Sequence, residues 1–179
     1  MMPIALKCFL ATLVGFGCAT AQAEHRFVIQ GNNRLAVVAA DGTIEWEMPW
    51  GGIHDVQVLA NGNFLVQQGK NKVVEIDRAS RKVVWTYDSA TANGNEGKRV
   101  EVHAFQPLSD DRLMIAESGP ARIIEIDRSG KLLHEVRLKV DRPNPHTDTR
   151  LARKLADGNY FPAAELALVD DWVADLAGA

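Results

Sequence analysis

Three histidines and an arginine stand where a repeated segment restarts. His54 opens HDVQVLANGNFLV (54–66) and His103 opens HAFQPLSDDRLMI (103–115), in gap-free register. A further partial copy, RLARKLADGNYF (150–161), begins at Arg150, and His146 lies just before it in His146-Thr147-Asp148-Thr149-Arg150. Imidazoles and a guanidinium brought to one place would suit an anionic ligand, because cationic donors stabilise sulfate, phosphate or carboxylate oxygens. Neutral imidazole nitrogens would also serve a divalent metal, although the sequence assigns no metal-ligand set. A third role is structural: a histidine at each restart that bonds the backbone of the neighbouring unit. Recurrence at equivalent positions favours this last role, since structural roles repeat with the unit and catalytic ones usually do not.

Whether these side chains meet depends on the units that carry them. The match continues beyond the first strand. QQGKNKVVEIDR (67–78) pairs with AESGPARIIEIDR (116–128) after one inserted residue, and KVVWTYD (82–88) pairs with KLLHEVR (131–137). Upstream, FVIQGNNRLAVVAADGTIEWEM (27–48) corresponds to the later three strands of a unit. Each unit contains apolar runs separated by Asn61-Gly62, Asp41-Gly42, Ser129-Gly130 or Asp157-Gly158. Such pairs tolerate positive φ and fit tight hairpins. Runs such as Val73-Val74-Glu75-Ile76 and Ile123-Ile124-Glu125-Ile126 are β-branched and too short for helices. Four-stranded units repeating at roughly 40–50 residues are the mark of propeller blades. The expected fold is therefore all-β, with four-stranded antiparallel blades in an incomplete or open array of about three to four. A three-strand blade covers 27–48, full blades cover 54–88 and 103–137, and another begins at 150–161. The first strand of a blade lines the central channel, so His54, His103, and His146 or Arg150 are expected to converge on one channel mouth.

Glu75-Ile76-Asp77-Arg78-Ala79-Ser80-Arg81-Lys82-Val83-Val84-Trp85 resembles the repeat of pyrroloquinoline quinone (PQQ) type β-propellers. Asp77 and Trp85 fit that pattern; Arg81 replaces its usual glycine and Glu75 its usual alanine. The next copy keeps Asp127 and Gly130 but has His134 at the tryptophan position, while Asp41 and Trp46 form a shortened version. The resemblance implies a propeller in which Asp77, Trp85, Asp127 and Trp46 are structural repeat residues, the tryptophans packing blade on blade. It raises PQQ as a cofactor by family likeness only. HDVQVLANGN is also similar to first-strand segments of bacterial arylsulfotransferases, where a histidine accepts the sulfuryl group and other His and Arg side chains hold its oxygens. The two resemblances together cover about residues 27–161.

The flanks set compartment and chemistry. Lys7, an apolar run from Cys8 to about Cys18, and Ala21-Gln22-Ala23 form a secretory signal over 1–23. That predicts a periplasmic or secreted protein with its repeat domain at 24–161. Both cysteines, Cys8 and Cys18, leave with the signal, so the mature chain has no disulfide and no thiolate chemistry. A net charge of −3, more negative once Lys7 is removed, argues against nucleic-acid or anionic-membrane partners, and no membrane insertion is expected after cleavage. No Gly-rich phosphate loop, HExxH helix or GxSxG elbow occurs. The loop DSATANGNEGK (88–98) reads as a mobile surface loop without calcium-loop spacing. Over 162–179, Leu166, Val169, Val173 and Leu176 predict a short amphipathic helix between Pro162 and Gly178. It interrupts a hairpin, which favours truncation of a longer propeller over a native cap and predicts self-association through open sheet edges. The functional expectation is an exported propeller module that binds a small anionic molecule or a protein partner at the channel face, without catalysis by this chain alone. The alternative is an arylsulfotransferase-like or quinoprotein-type enzyme, or an inactive remnant of one.

Overall fold

A computed structural model of the chain describes residues 25–52, 54–109, 111–140 and 144–163. The signal segment and residues 164–179 of the expected C-terminal helix lie outside the described residues; Pro162, its expected start, instead continues a strand, paired with Ala152. The first blade holds β1 (Phe27–Gly31), β2 (Arg34–Val38) and β3 (Ile44–Pro49). The second holds β4 (Val56–Val58), β5 (Phe64–Gln68), β6 (Lys72–Asp77) and β7 (Lys82–Asp88). The third holds β8 (Glu101–Pro107), β9 (Leu113–Ser118), β10 (Arg122–Ile126) and β11 (Leu132–Arg137), and the hairpin β12 (Leu151–Lys154) with β13 (Tyr160–Ala163) starts a fourth. Every sheet is an antiparallel meander in which sequence neighbours pair. Among the described residues no helix forms, and the four sheets make an open, incomplete propeller.

Strand alternation explains the core. In β5, Phe64 and Val66 face the first blade and, with Val74 and Ile76 of β6, pack against its Leu35 and Val37. Leu65 points the other way and joins Val73 and Tyr87 against Val102, Phe105, Leu113 and Ile115 of the third blade. Met114, Ala116 and Ile123 face the hairpin through Ala152 and Tyr160. Residues one apart thus serve different interblade layers, because successive strand side chains leave opposite faces. Each fully buried Phe, Leu or Ile in these layers contributes about 1.5–3 kcal/mol.

The repeat residues tie one blade to the next. The Trp46 indole donates to the Arg78 carbonyl (2.8 Å), and the Trp85 indole does the same to Arg128 one blade on (2.8 Å). The Arg128 guanidinium covers the Trp85 ring at 4.2 Å. Asp77 accepts from the amide and hydroxyl of Ser80, and Asp127 from those of Ser129, so each carboxylate closes the turn before the outermost strand. His134, at the third tryptophan position, stacks on Tyr160 of the hairpin.

The 88–98 loop is exposed at residues 91, 94 and 96–98, as its composition predicts, but it is tied down from beneath. Ser89 and Asn95 are fully buried. Asn95 donates to the Ser89 carbonyl (2.8 Å) and to Glu117 (2.9 Å), while Arg122 reaches Asn93 and Asn95 (3.0 and 3.1 Å). Its asparagines satisfy a buried ion pair in the third blade, which anchors a segment whose composition alone reads as surface.

Candidate functional site

The innermost strands β4, β8 and β12 bring the sequence candidates to one end of the channel. β8 decides the geometry. It begins upstream of His103, because the Val102 amide donates to the Lys70 carbonyl (2.7 Å) and its carbonyl accepts from the Gln67 side chain (2.5 Å). Pairing with β9 then slips between Val102 and Ala104, leaving His103 as the bulged residue. A bulge bends the strand and re-aims the side chain it carries. His103 is 3 % exposed, its ring centroid 4.4 Å from that of His54 and 5.4 Å from that of His146. Three blades thus supply three neighbouring imidazoles.

The segment bearing His146 is pinned from below. Asp148 accepts from the amides of Asn144 (2.5 Å) and Gly119 (3.0 Å). Thr149 exchanges hydrogen bonds with the Ser118 hydroxyl (2.8 and 3.2 Å). Gly119 itself requires glycine: at φ +98° an added Cβ would stand 2.2 Å from the Arg99 carbonyl oxygen.

Glu101 is the centre of the cluster, and its side chain is only 4 % exposed. Its Oε1 takes Lys70 and Arg99 (both 3.2 Å); its Oε2 faces His146 Nδ1 (2.9 Å) and His103 Nε2 (3.4 Å). Arg150 Nη1 lies 3.1 Å from His146 Nε2 and donates to the His146 carbonyl (3.1 Å). A guanidinium can only donate, so Nε2 of His146 is an acceptor and Nδ1 carries the proton given to Glu101.

Burial works against the Glu101 carboxylate, but the hydrogen bonds from His146, Lys70 and Arg99 outweigh it and hold its pKa down at about 2. Burial drives His103 down to about 4, with the nearby His54 and Arg150 adding and Glu101 opposing. His54 is lowered chiefly by burial, and further by the nearby Arg150 guanidinium, with Glu101 opposing. At neutral pH the lowered imidazoles of His54 and His103 are therefore neutral beside an ionised Glu101 carboxylate.

All four candidates, His54, His103, His146 and Arg150, come together. Glu101, Lys70 and Arg99 were not singled out from the sequence. The signal for Glu101 was present: Glu101-Val102-His103 has the alternation that puts both outer side chains on one strand face. Asp55 was also passed over. It accepts both guanidinium nitrogens of Arg153 (2.8 and 3.1 Å) and the Phe105 amide (3.1 Å), lacing the innermost strands together. Trp46 and Trp85 lie on outermost strands, their N–H groups committed to the Arg78 and Arg128 carbonyls and their ring faces approached by the Arg81 and Arg128 guanidinium groups, so the repeat tryptophans do not fit as a stacking site for a quinone.

Interblade layers, a repeated tryptophan contact and innermost strands converging on one axis define a β-propeller. The chain belongs to the PQQ-like repeat family described as outer membrane protein assembly factor BamB, whose profile matches residues 31–167. No curated protein matches it in sequence. Among solved structures it is similar to a protein of unknown function from Bacteroides caccae (23 % identity, TM-score 0.61, 76 % of this chain and 49 % of that one). It is also similar to streptogramin B lyase (17 %, 0.54, 74 % and 42 %). The WD40 β-propeller domain of Doa1 is a third neighbour (11 %, 0.57, 78 % and 43 %). These likenesses concern the fold, and the chain spans less than half the length of each of these structures.

Proposed function

We propose that this chain is an exported propeller module whose channel face binds a small anionic ligand, with a protein partner as the alternative occupant. The signal pattern over 1–23 supports export, and membership of a family described by an outer-membrane assembly factor agrees with a periplasmic setting. The observation that carries the binding reading is the convergence of His54, His103 and His146 from separate blades, ring centroids 4.4 and 5.4 Å apart, beside Arg150. Because burial keeps the inner imidazoles neutral, the guanidinium of Arg150 is the group best suited to an anion, with imidazole N–H groups adding neutral hydrogen bonds.

Calorimetric titration of the chain with sulfate, phosphate and a short dicarboxylate tests this. Saturable binding of at least one is expected, weakened about 10-fold by Arg150→Ala, which corresponds to roughly 1.4 kcal/mol. Absence of saturable binding to all three would overturn the anion reading.

A further inference from the structure

We propose that Glu101, His103 and His146 form a binding site for a divalent transition-metal ion, and that this ion is what the channel face presents to its anionic ligand. The second half rests on the function proposed above; the first stands on geometry alone.

His103 Nε2 and His146 Nδ1 lie 3.4 and 2.9 Å from the same Glu101 oxygen, and one ligand atom from each residue lies within 4.8 Å of the others. Nitrogen and oxygen ligands at about 2.0–2.2 Å from a metal stand roughly 3.0–3.5 Å from each other. The two distances to Glu101 Oε2 are close to that spacing, and the imidazole nitrogens, within 4.8 Å of each other, need only a small approach to match it. Two imidazoles and one carboxylate suit zinc, cobalt, manganese or ferrous ions and leave coordination positions open. An open position facing the channel is where an anionic oxygen would bind.

The supporting contacts divide the labour within Glu101. Lys70 and Arg99 both hold Oε1 at 3.2 Å, so the carboxylate is fixed with Oε2 turned towards the two imidazoles. Partners that orient a ligand in this way are what metal sites require. His103 cannot be explained by the structural role that recurrence suggests. Among the described residues its Nδ1 is buried without a hydrogen-bond partner, and its Nε2 faces Glu101. A buried imidazole that bonds no neighbouring backbone, re-aimed by a bulge onto a buried carboxylate, is placed for a ligand and not for packing.

Arg150 gives the proposal an unusual sign. In the metal-free protein it occupies His146 Nε2 and thereby fixes the proton on Nδ1, the nitrogen facing Glu101. For Nδ1 to bind a metal, that proton must transfer through solvent to Nε2. Arg150 must then leave Nε2, and it can keep its bond to the His146 carbonyl at 3.1 Å. Arg150 therefore opposes the metal, whereas it favours a directly bound anion.

The test is titration of the whole untagged chain with Co2+ alone, followed by visible d–d absorption and by equilibrium dialysis, with Zn2+ as competitor. One equivalent per chain is expected, weakened about 100-fold by His146→Ala and Glu101→Gln and tightened several-fold by Arg150→Gln. His103→Gln should behave like His146→Ala. Because His103 is buried, the exposed His146 supplies the variant whose folding is not at risk, and circular dichroism confirms the fold of each. No saturable Co2+ uptake by the wild-type chain, or uptake unchanged in His146→Ala, overturns the metal site. Sulfate is titrated with and without Co2+. Sulfate binding without any Co2+ uptake leaves the anion function standing and removes the metal; neither binding removes both. Co2+ uptake with unchanged sulfate affinity overturns the link between them, and sulfate bound more tightly in the presence of Co2+ supports it.

Discussion

In the second blade the innermost strand is β4, three residues from Val56 to Val58; in the third it is β8, seven residues from Glu101 to Pro107. The segments around them align without a gap, with His54 and His103 at the same position. In the second blade His54 precedes the strand and is half-buried, with Gly51 and Gly52 before it. In the third, Glu101 and Val102 extend the strand, pair with Ser118 and Glu117, and place His103 in a bulge. The difference continues outward. Exposed Gln68 and half-exposed Lys72 of the second blade correspond to fully buried Glu117 and buried Arg122 of the third. One repeat has thus been kept as a generic blade while its copy became an internally charged one that holds the site. The repeat register sets where a side chain emerges; residues outside the register decide what it meets.

Breaking the charged blade gives the largest expected contrast. Arg122 donates to Glu117 (2.6 Å) and Glu135 (2.8 Å), so Arg122→Ala leaves a buried carboxylate unpaired and should destabilise the chain by about 3–5 kcal/mol. Lys72→Ala removes only a partly exposed contact to Asp88 at 3.6 Å and should cost roughly 0–1 kcal/mol. Denaturant midpoints of the two variants measure the difference, and equal effects would contradict it.

The paired turn glycines give the next contrast. Gly69 and Gly119 occupy equivalent turns, at φ +62° and +98°. A Cβ on Gly69 meets nothing within 4 Å, whereas one on Gly119 meets the Arg99 carbonyl oxygen at 2.2 Å. Gly69→Ala should cost about 1 kcal/mol from backbone strain; Gly119→Ala should cost about 3 kcal/mol or more and displace the segment that carries Arg99 and Glu101. Thermal unfolding of both variants, with the Co2+ titration repeated on each, reads out both consequences.

The smallest effect concerns protons. The folded-state pKa of His103 is depressed to about 4, below its ordinary 6.5. Between those values the unfolded chain binds a proton that the folded chain refuses, so stability is full above about pH 6.5 and falls as pH drops towards 4. The loss should amount to about 1–3 kcal/mol and be smaller in His103→Gln. Chemical denaturation of both proteins at a series of pH values in this window checks it; identical slopes would assign the acid sensitivity elsewhere.

Most of the architecture was legible because strand period, hairpin dipeptides and the copied register are local properties. Val73-Val74-Glu75-Ile76 announces a buried strand whatever surrounds it, and Trp46 and Trp85 find their carbonyl partners one blade on because the unit repeats. The site was half legible. His54, His103, His146 and Arg150 stood out by position in the repeat, but Glu101 precedes the repeat boundary and is marked only by its spacing to His103, and Lys70 and Arg99 lie in connecting segments that no period marks. The 88–98 loop misled for a related reason. Asn93 and Asn95 look like solvent-facing turn residues until Arg122 and Glu117, distant in sequence, are buried beside them.

The sequence by itself determined the strand sequence, the direction each side chain leaves its strand, and the placing of the histidines at the starts of successive innermost strands. All of these follow from alternation and repetition along the chain. Only the tertiary structure decided that His103 would turn inward at a bulge, that Glu101 would be buried between Lys70, Arg99 and two imidazoles, and that Arg150 would fix the His146 proton. Those outcomes depend on desolvation and on charges from separate blades meeting across the channel, and such energies exist only once the blades are packed.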